Sequence, residues 1–415
     1  MIQNILWVLS FFSLWMTIVW LNFLYMEERR PKPGLAKLPF ITIAVPVYNE
    51  TKTNIARTLN SLMCMDYPRE KFEVIVVNDG STDSTADTVR SIIKQNAMFS
   101  IKLIDKKKNE GKVAAVNSAL EVASGEFFSV VDADSRVDRV ALKKILPHFA
   151  DPKMGGVISV VKVDEPRNIY EKLQRVEYIL SNLIRRLMAS IDTLFLTHGV
   201  LCVFNTATLR GVGGFSKDSA GTEDLELALR LKQNGYKVRM EWGAIGYTHV
   251  PNNWKSLWHQ RVRWFRGFIY NHLKYRSMFF NKKYDLFGMF QLPVNVFAVV
   301  FLITAAGLVF YGGVADYYEL VSRSLTIPGY FIEHVLDFPT LKQFLLGQNI
   351  QITLPILAIT FLGIYVIYVA HNQMQEKMLR YTHWIFLYFL ISPYVTTLHW
   401  LSAIAQEMTG NKRKW

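Results

Sequence analysis

Four long stretches of this 415-residue chain carry no Asp, Glu, Lys or Arg, and they limit its possible folds more than any other feature. The first, Ile5–Met26, would form a helix about 33 Å long, which is enough to cross the apolar layer of a bilayer. Three further predicted spans lie near residues 288–311, 350–370 and 383–404. Because 51% of all residues are hydrophobic, the chain is expected to be neither disordered nor purely soluble.

Residues 1–28 are predicted to form a retained transmembrane anchor. A cleaved signal peptide is the alternative, but no basic residue precedes the apolar stretch and no small-residue cleavage site follows it. The charges directly after it are mostly basic and include Arg29, Arg30, Lys32 and Lys37. Since basic residues favour the cytoplasmic side, we expect a multi-pass protein of the plasma membrane whose next domain is cytoplasmic.

The number of crossings in the predicted C-terminal membrane region, residues 286–415, stays open. Four simple crossings that start outside would leave the basic segment Lys412–Lys414 outside, against the positive-inside tendency. Either one segment does not cross, or the weaker stretch Tyr330–Leu346 does. The segment 383–404 contains Pro393 and several polar residues, so a kinked or re-entrant path is an alternative to a simple crossing.

The chain is also strongly basic, with 47 Lys and Arg against 34 Asp and Glu and a net charge of +13. Residues 251–285, predicted to form basic interfacial helices, contain a single acidic residue, at their end. Such a run suits anionic membrane lipids and attracts a nucleotide diphosphate, whereas no nucleic-acid-binding module accompanies it. Only Cys64 and Cys202 are present, so a disulfide framework, redox chemistry and a zinc cage are not expected.

Between the apolar regions, residues 29–250 alternate predicted strands with predicted helices. The strands are expected at 41–50, 72–81 and 125–134, and the helices at 52–63, 83–95, 112–122 and 138–149. This alternation predicts an α/β domain with a Rossmann-like, mostly parallel sheet, in which ligands bind beyond the carboxyl ends of the strands.

Polar residues follow each of these three strands. Asn49-Glu50 follows the first, Asn78-Asp79-Gly80-Ser81 the second and Asp132-Ala133-Asp134 the third. Asp79 can accept a hydrogen bond from a nucleobase or a ribose, and Asp132 with Asp134 can hold a hard divalent cation through oxygen. Helix N-capping is the alternative role for an Asp that follows a strand.

Six motifs occur in a fixed order between Phe40 and Gly267. They read VPVYNE, VVNDGSTDST, NEGKVAAVNSAL, VVDADS, GTEDLELALRL and QRVRW. In this order, and beside membrane helices, they resemble a family-2 glycosyltransferase, an inverting enzyme of the GT-A nucleotide-sugar fold. The last motif is similar to the Q-x-x-R-W signature of processive membrane synthases of cellulose, chitin, hyaluronan and poly-β-1,6-N-acetylglucosamine, and the chain looks most like the last of these.

The resemblance implies a role for each motif residue. It makes Asp224 the general base that takes the proton from the acceptor hydroxyl, with Glu223 as the rival for that role. The residues expected to bind the donor nucleotide are Asn49, Glu50, Asp79, Lys112, Asp132 and Arg263. Those expected to bind the acceptor are Glu223, Gln260 and Trp264, and those expected to bind Mg²⁺ or Mn²⁺ are Asp134 and His249.

Each of these residues also has a plainer interpretation. Lys112 can reach a phosphate or lie solvated on the surface, and Asp224, at the start of a helix predicted over 225–234, can be a cap. Trp264 can stack on a sugar ring or belong to a membrane-interface belt. His249 can be a metal ligand or an ordinary surface histidine. In addition, His198-Gly199 stands where relatives often have Ser-Gly, which leaves the sugar and the acceptor open.

The resemblance implies a processive enzyme that polymerises a UDP-sugar, UDP-N-acetylglucosamine in the first instance, into an exported polysaccharide. The expected partners are therefore the UDP-sugar donor, a growing polysaccharide or lipid acceptor and membrane lipids; a small membrane partner subunit stays open. One alternative is a non-processive transferase that adds a single sugar to a polyprenyl phosphate. A second alternative is a catalytically silent membrane scaffold of the same fold.

Overall fold

The structure, a computed structural model, describes residues 2–27, 38–336 and 349–410. It contains an α/β domain built on one eight-stranded sheet, together with a set of long apolar helices that pack beside it. The basic residues Arg29, Arg30, Lys32 and Lys37 and the segment Lys412–Lys414, on which the predicted orientation depends, lie outside the described residues.

The sheet has the strand order β3-β2-β1-β4-β7-β6-β8-β5. In chain order, its strands are β1 (Ile41–Val47), β2 (Phe72–Asp79), β3 (Ile101–Lys106), β4 (Phe127–Val130), β5 (Ser135–Val137), β6 (Met154–Val163), β7 (Cys202–Asn205) and β8 (Lys237–Thr248). Strands β1 to β4 pair in parallel, as the alternating pattern predicts. Every residue of β2 is buried, which is typical of a parallel strand covered on both faces.

The other half of the sheet is mixed. Strand β7 runs antiparallel to both β4 and β6, β8 runs parallel to β6, and the short β5 pairs antiparallel with the end of β8. The register sets Ser135 opposite Thr248, so the preceding Asp134 and the following His249 meet at the end of this ladder. The observed third strand is therefore shorter than the predicted 125–134. Strand β4 ends at Val130, and a separate strand, β5, begins just past Asp134.

Helices cover both faces of the sheet. They are α2 (Lys52–Met63), α3 (Thr85–Gln95), α4 (Lys112–Val122), α5 (Ala141–Ile145), α6 (Ile169–Ser190), α7 (Thr206–Gly211), α8 (Glu223–Gln233) and α9 (Trp254–Lys274). The helix predicted over 138–149 is wrong in length, because only α5 is α-helical and a 3₁₀ turn with Pro147 follows it. Pro147 lacks the N–H that would continue the α-helix. Helix α8 begins two residues before the prediction.

Within the described residues, five helices lie outside the α/β domain in sequence. They are α1 (Ile2–Glu27), α10 (Leu292–Thr326), α11 (Tyr330–Leu336), α12 (Ile350–Gln373) and α13 (Thr382–Met408). Four apolar segments, Ile5–Leu24, Phe287–Thr326, Thr353–Gln373 and Met378–Met408, are long enough to cross a membrane by length and composition. Of the weaker stretch Tyr330–Leu346, only the seven-residue α11 falls within the described residues.

The apolar helices and the α/β domain share one core. Leu24 at the end of α1 and Ala370 and Met374 at the end of α12 join the apolar cluster between the sheet and α4, α6 and α8. A second cluster on the opposite face of the sheet packs α2 and α5. The sheet therefore has an apolar core on each of its two faces.

Candidate active site

The ends of β1 and β2 are held together by their own polar residues. Asn49, whose φ of 46° lies in the left-handed region, accepts a hydrogen bond from the Thr82 N–H (2.9 Å) and donates its own N–H to the Ser81 hydroxyl (2.9 Å). Glu50 accepts hydrogen bonds from the Thr51 N–H and the Asn54 amide. Asn49 and Glu50 therefore fix the first loops at the edge of the sheet.

Asp79, predicted to bind a nucleobase or ribose, is buried at the end of β2. Its carboxylate accepts hydrogen bonds from Lys106 Nζ (2.9 Å) and from the backbone N–H groups of Glu110 and Gly111 (2.7 Å for Gly111). These bonds hold the loop that leads into α4, whose first residue is Lys112. In this structure Asp79 thus positions the loop in front of Lys112.

Lys112 is partly exposed but is paired with two carboxylates. Its Nζ lies 2.7 Å from Asp132 Oδ1 and 3.2 Å from Glu223 Oε1, so it joins the end of the third parallel strand to the start of α8. Burial alone would lower its pKa, but the carboxylates of Asp132, Glu223 and Asp224 outweigh that effect and raise it well above its ordinary value. Lys112 is therefore a permanent cation at the centre of the acidic cluster.

The position of Asp132 depends on a residue with no side chain. The Asp132 N–H donates to the Gly199 carbonyl (2.7 Å), and a Cβ at Gly199 would lie 2.3–2.5 Å from the Asp132 carboxyl atoms. No real Cβ contact is that short, so only glycine leaves room for the Asp132 carboxylate. The sequence analysis noted Gly199 only as part of an unusual dipeptide.

Asp224 lies in the first turn of α8, and its surroundings differ from those of Glu223. Glu223 is paired with Lys112, whereas the Asp224 carboxylate makes no hydrogen bond or ion pair with any described residue. Burial and the neighbouring charge of Glu223 raise the pKa of Asp224 to about 7, although Lys112 and Arg263 oppose the shift. Because its side chain accepts no capping hydrogen bond, the helix-cap interpretation of Asp224 does not describe this structure.

Asp134 is the second carboxylate with a strongly raised pKa. Burial and the charges of Asp132 and Glu50 raise that pKa to about 6, while the nearby His249 lowers it. Its only hydrogen bond among the described residues comes from the Ser135 hydroxyl, at 3.3 Å.

A carboxylate that has acidic neighbours and few hydrogen bonds, next to an exposed imidazole, offers the oxygen and nitrogen ligands of a divalent-cation site. Asp134 and His249 therefore fit the predicted metal role. In the part of the chain that the structure describes, no three His, Cys, Asp or Glu side chains enclose an ion. A cation at Asp134 would take its other ligands from water or from phosphate oxygens.

Helix α9, which carries the QRVRW motif, packs against the loop in front of α8. Arg263 Nη1 donates to the Gly221 carbonyl (2.7 Å), and Asn271 Nδ2 donates to the Ser219 carbonyl and the Thr222 hydroxyl (both 3.0 Å). A Cβ on Gly267 would lie 2.2 Å from Thr222 Oγ1, so this glycine allows the close approach. Arg263 is also near enough to Asp224 to lower its pKa.

Gln260 and Trp264, the predicted acceptor residues, share a neighbour that the sequence analysis missed. The guanidinium of buried Arg261 lies 4.2 Å from the centre of the Trp264 ring and donates to Gln260 Oε1 (2.9 Å). Arg261 also pairs with Glu177 on α6 (2.9 Å). It therefore fixes the motif helix to α6, and only the fold could reveal this because Glu177 is distant in sequence.

Two further side chains, His198 and Arg185, lie near the cluster around Asp224. His198 donates Nε2–H to the Ser159 carbonyl (2.9 Å), and burial together with the charge of Arg185 lowers its pKa to about 3, so it stays neutral. Arg185 itself makes no hydrogen bond or ion pair with a described residue, although it is close enough to Asp224 for their charges to interact. Helical spacing on α6 gave no signal that would have singled out Arg185.

The structure thus brings Lys112, Asp132, Glu223 and Asp224 into one cluster and sets Arg263 and Arg185 at its edge. Asp134, Glu50 and His249 form an adjoining group that is coupled to the cluster through Asp132. Asp79 and Asn49 order the loops beneath them, and Gln260 and Trp264 lie along α9. This arrangement can hold a cation and an anionic group beside one carboxylate that is ready to accept a proton.

Similar proteins agree with this architecture. Two poly-beta-1,6-N-acetyl-D-glucosamine synthases, from Staphylococcus aureus (strain COL) and Staphylococcus epidermidis (strain RP62A), are 31% and 30% identical to this chain over 271 residues. The match covers 62% of this chain and 64% of each relative, so it spans less than two thirds of their length.

Among solved structures, the mannosyltransferase PcManGT from Pyrobaculum calidifontis, in complex with GDP-Man and Mn²⁺, superposes with a TM-score of 0.63 at 20% identity. It covers 99% of this chain and 98% of its own, and at this identity it supports the GT-A fold alone. Residues 42–211 match the family described as Glycosyl transferase family 2, and residues 127–395 match Glycosyl transferase family group 2. Because the second match spans more than half of the chain, this protein belongs to glycosyl transferase family group 2.

Proposed function

We propose that this protein is an inverting glycosyltransferase that moves a sugar from a nucleotide-sugar donor to an acceptor hydroxyl. The observation that carries the proposal is the pair of adjacent carboxylates at the start of α8. Glu223 is engaged by Lys112, while Asp224 has no partner among the described residues and has a pKa of about 7. A general base works best when its pKa lies near the working pH.

In the proposed reaction, the acceptor oxygen attacks the anomeric carbon from the face opposite the diphosphate. The bond between that carbon and the diphosphate oxygen breaks, the nucleoside diphosphate leaves, and the acceptor proton passes to Asp224. Lys112 keeps Glu223 and Asp132 in place, and Arg263 adds positive charge beside the base. This role for Asp224 needs a deprotonated carboxylate before each transfer.

Asp134, with His249 beside it, would hold the divalent cation, Mg²⁺ or Mn²⁺. When bound, the cation neutralises the charge that develops on the leaving diphosphate. Asp134 contributes its carboxylate. Because burial and the acidic neighbours raise its pKa to about 6, this carboxylate is available to a cation once the pH exceeds that value. His249 contributes an imidazole nitrogen from the end of β8.

For the donor and product we propose UDP-N-acetylglucosamine and an exported polysaccharide, with the α/β domain at residues 29–250 and the motif helix within 251–285. The likeness to the staphylococcal poly-beta-1,6-N-acetyl-D-glucosamine synthases supports this choice. The long apolar segments support a membrane protein, and we propose that it is a multi-pass protein of the plasma membrane with a cytoplasmic catalytic domain. Trp264, half-buried beside Arg261, would carry a sugar ring of the growing chain.

A second function is favoured by one observation. Arg185 has no partner among the described residues and lies within electrostatic reach of Asp224. A guanidinium in that position suits an acceptor that carries a phosphate, such as a polyprenyl phosphate to which a single sugar is added. Both functions use the same donor site and differ in the acceptor.

The deciding experiment incubates the purified full-length protein, in lipid nanodiscs with Mn²⁺, with radiolabelled UDP-N-acetylglucosamine. We expect UDP release together with a large labelled polymer. A single labelled glycolipid, formed only when polyprenyl phosphate is added, would replace the polymerase proposal with the second function. If no nucleoside diphosphate is released from any of a panel of UDP- and GDP-sugars, the protein is a silent scaffold and both proposals fail.

A further inference from the structure

Helix α13 is the least apolar of the four candidate spans and has the largest buried share. It also contacts the α/β domain near both of its ends. We propose that α13 does not cross the membrane but lies along the membrane surface, with one face on the catalytic domain and the other in the adjacent lipid leaflet. The proposal rests on packing and charge, and it is independent of the reaction that the domain catalyses.

The N-terminal end of α13 is attached to α6. The ammonium of Lys172 lies 5.1 Å from the centre of the Trp384 ring, and Ile385 packs on Val176. One residue before the helix, the Tyr381 ring stacks on the guanidinium of Arg175 at 3.5 Å. These contacts hold the start of α13 on a helix of the α/β domain.

The loop that leads into α13 is fixed in the same place. Trp242 Nε1 on β8 donates to the Gln373 carbonyl (3.0 Å), and Lys162 Nζ on β6 donates to the Met374 carbonyl (2.7 Å). Arg175 and Glu376 form an ion pair between α6 and this loop. The end of α12 and the beginning of α13 therefore both lie at the catalytic domain.

The C-terminal end of α13 is attached to α9. The His399 ring lies 4.6 Å from that of Trp258, and the Trp400 ring stacks on Phe265 at 4.2 Å and 4°. Near the end of the helix, Glu407 accepts a hydrogen bond from Arg266 Nε (2.6 Å). A second helix of the catalytic domain thus holds the other end of α13.

These two attachments are incompatible with a crossing. From Trp384 to Glu407 the helix rises about 35 Å, which exceeds the roughly 30 Å thickness of the hydrocarbon layer. A crossing would therefore put the two ends on opposite sides of the membrane. Helices α6 and α9 would then have to lie on opposite sides, although both belong to the α/β domain and carry charges such as Arg175, Arg185 and Arg266, whose burial in hydrocarbon is strongly unfavourable.

The opposite face of α13 is a continuous apolar stripe. Its exposed residues recur every three or four positions along the whole helix, which places them on one side. They are Phe386, Phe389, Leu390, Tyr394, Leu398, Leu401, Ala405 and Met408. Because α1, α10 and α12 pack next to the same domain, this stripe continues their exposed apolar surface and faces the same lipid.

Among the described residues, the proposal leaves three crossings, formed by α1, α10 and α12. Leu24 of α1 and Met374 after α12 are buried with the catalytic domain, as are Phe287 and Leu292 at the start of α10. With α13 on the membrane surface, Gly410 also lies on the catalytic side.

A labelling experiment on the full-length protein tests which side Thr409 occupies. Native Cys64 is exposed on the catalytic domain and reports that side, while Cys202 is buried. In a Cys64→Ser background, Thr409→Cys tests the end of α13 and Ser322→Cys tests the far end of α10, both at exposed positions. Intact cells and permeabilised cells are treated with a membrane-impermeant maleimide.

We expect Thr409→Cys to share the accessibility of native Cys64, and Ser322→Cys to show the opposite accessibility. If Thr409→Cys labels together with Ser322→Cys, α13 crosses the membrane and the proposal is wrong. The comparison does not depend on which face of the membrane is cytoplasmic, and the enzymatic activity does not enter it. Normal gel-filtration behaviour identifies variants that fold.

A depth measurement tests the lipid-facing stripe itself. Spin labels at Phe386 and Tyr394 of α13, and at Val296 and Val309 of α10, all exposed positions, are placed one at a time in protein reconstituted into phosphatidylcholine and phosphatidylglycerol vesicles. We expect the two α13 labels to report the same shallow depth, whereas the α10 labels differ in depth. Different depths for the α13 labels, or shielding from lipid by a second copy of the chain, would overturn the proposal.

Discussion

The two sides of the active-site cleft are built in different ways. On the side formed by the strand ends, polar residues are saturated with hydrogen bonds, and Asp79 alone accepts bonds from a lysine and two backbone N–H groups. On the side formed by α8 and by the pairing of β5 with β8, Asp224 and Asp134 have few partners or none among the described residues. The first side is therefore rigid, and the second holds the groups with shifted pKa values.

This difference separates positioning from reactivity. A carboxylate that is fully hydrogen-bonded is stable as an anion and is a poor proton acceptor, whereas a buried carboxylate without partners takes up a proton readily. The cluster around Lys112 connects the two sides, because Asp132 belongs to the strand end and Glu223 to α8. Substitutions on the two sides should therefore fail in different ways.

The largest effect is expected on the reactive side. Asp224→Asn removes the proton acceptor with little change in shape, so kcat should fall on the order of a thousandfold while donor binding is kept. The rate of nucleoside diphosphate (NDP) release measures kcat, and calorimetric titration measures donor binding. Glu223→Gln, at the neighbouring position, should cost less in kcat; an equal or greater loss would move the base to Glu223.

A change on the positioning side should give the opposite pattern. Gly199→Ala forces the Asp132 carboxylate to move, because the new Cβ would lie 2.3 Å from it. We expect kcat/KM for the donor to fall roughly a hundredfold, chiefly through KM. Gly211→Ala is the matched control, since a Cβ there meets no atom within 4 Å. A loss confined to kcat would argue against a positioning role.

The pH profile distinguishes the two unsatisfied carboxylates. The pKa of Asp224 in the folded protein, about 7, lies above its ordinary value of 3.8, so the proton is taken up as the pH falls through 7. The kcat should therefore drop about tenfold per pH unit below 7. Below about pH 6, protonation of Asp134 should in addition raise the Mn²⁺ concentration needed for half-maximal rate.

These two pH effects are measured by initial rates of NDP release in a constant-ionic-strength buffer series at several Mn²⁺ concentrations. A flat profile between pH 5 and 8 would contradict both roles. A metal requirement that does not change with pH would contradict the role of Asp134 alone.

The smallest effect is expected at Trp264. Trp264→Ala removes a flat apolar face that is held by Arg261, so the acceptor should bind roughly tenfold more weakly and products should be shorter. Hydrolysis of the donor without acceptor should hardly change. Product length is measured by gel electrophoresis, with Trp264→Phe as the control that keeps an aromatic face. Equal loss of hydrolysis and elongation would count against stacking on a sugar.

Much of the architecture could be predicted from local sequence patterns. The bounds of α2 and α4 agree with the pattern of apolar residues, and the polar residues after β1, β2 and β4 lie at one edge of the sheet as expected. Local rules were sufficient here because helix periodicity and strand burial depend on near neighbours. The prediction of a helix over 138–149 was wrong for a local reason too, because Pro147 cannot donate the hydrogen bond that would continue the α-helix.

Other features depended on residues that are distant in sequence. The pairing of β5 with β8 brings Asp134 to His249, the buried Arg261 fixes α9 to α6, and Gly199 makes room for Asp132. No rule of sequence spacing predicts these contacts, because a contact between distant segments depends on how the whole chain packs. The roles of Asp224, Asp134 and Trp264 are predictions that the experiments above test.

The sequence by itself determined that this chain joins a sheet with acidic strand ends to long apolar helices, because composition and periodicity are local properties. Only the tertiary structure decided which acidic residues lack partners, since a pKa depends on burial and on charges brought together by folding. It also decided how α13 packs. A helix long and apolar enough to cross a membrane can equally lie on it, and the contacts at its two ends distinguish these outcomes.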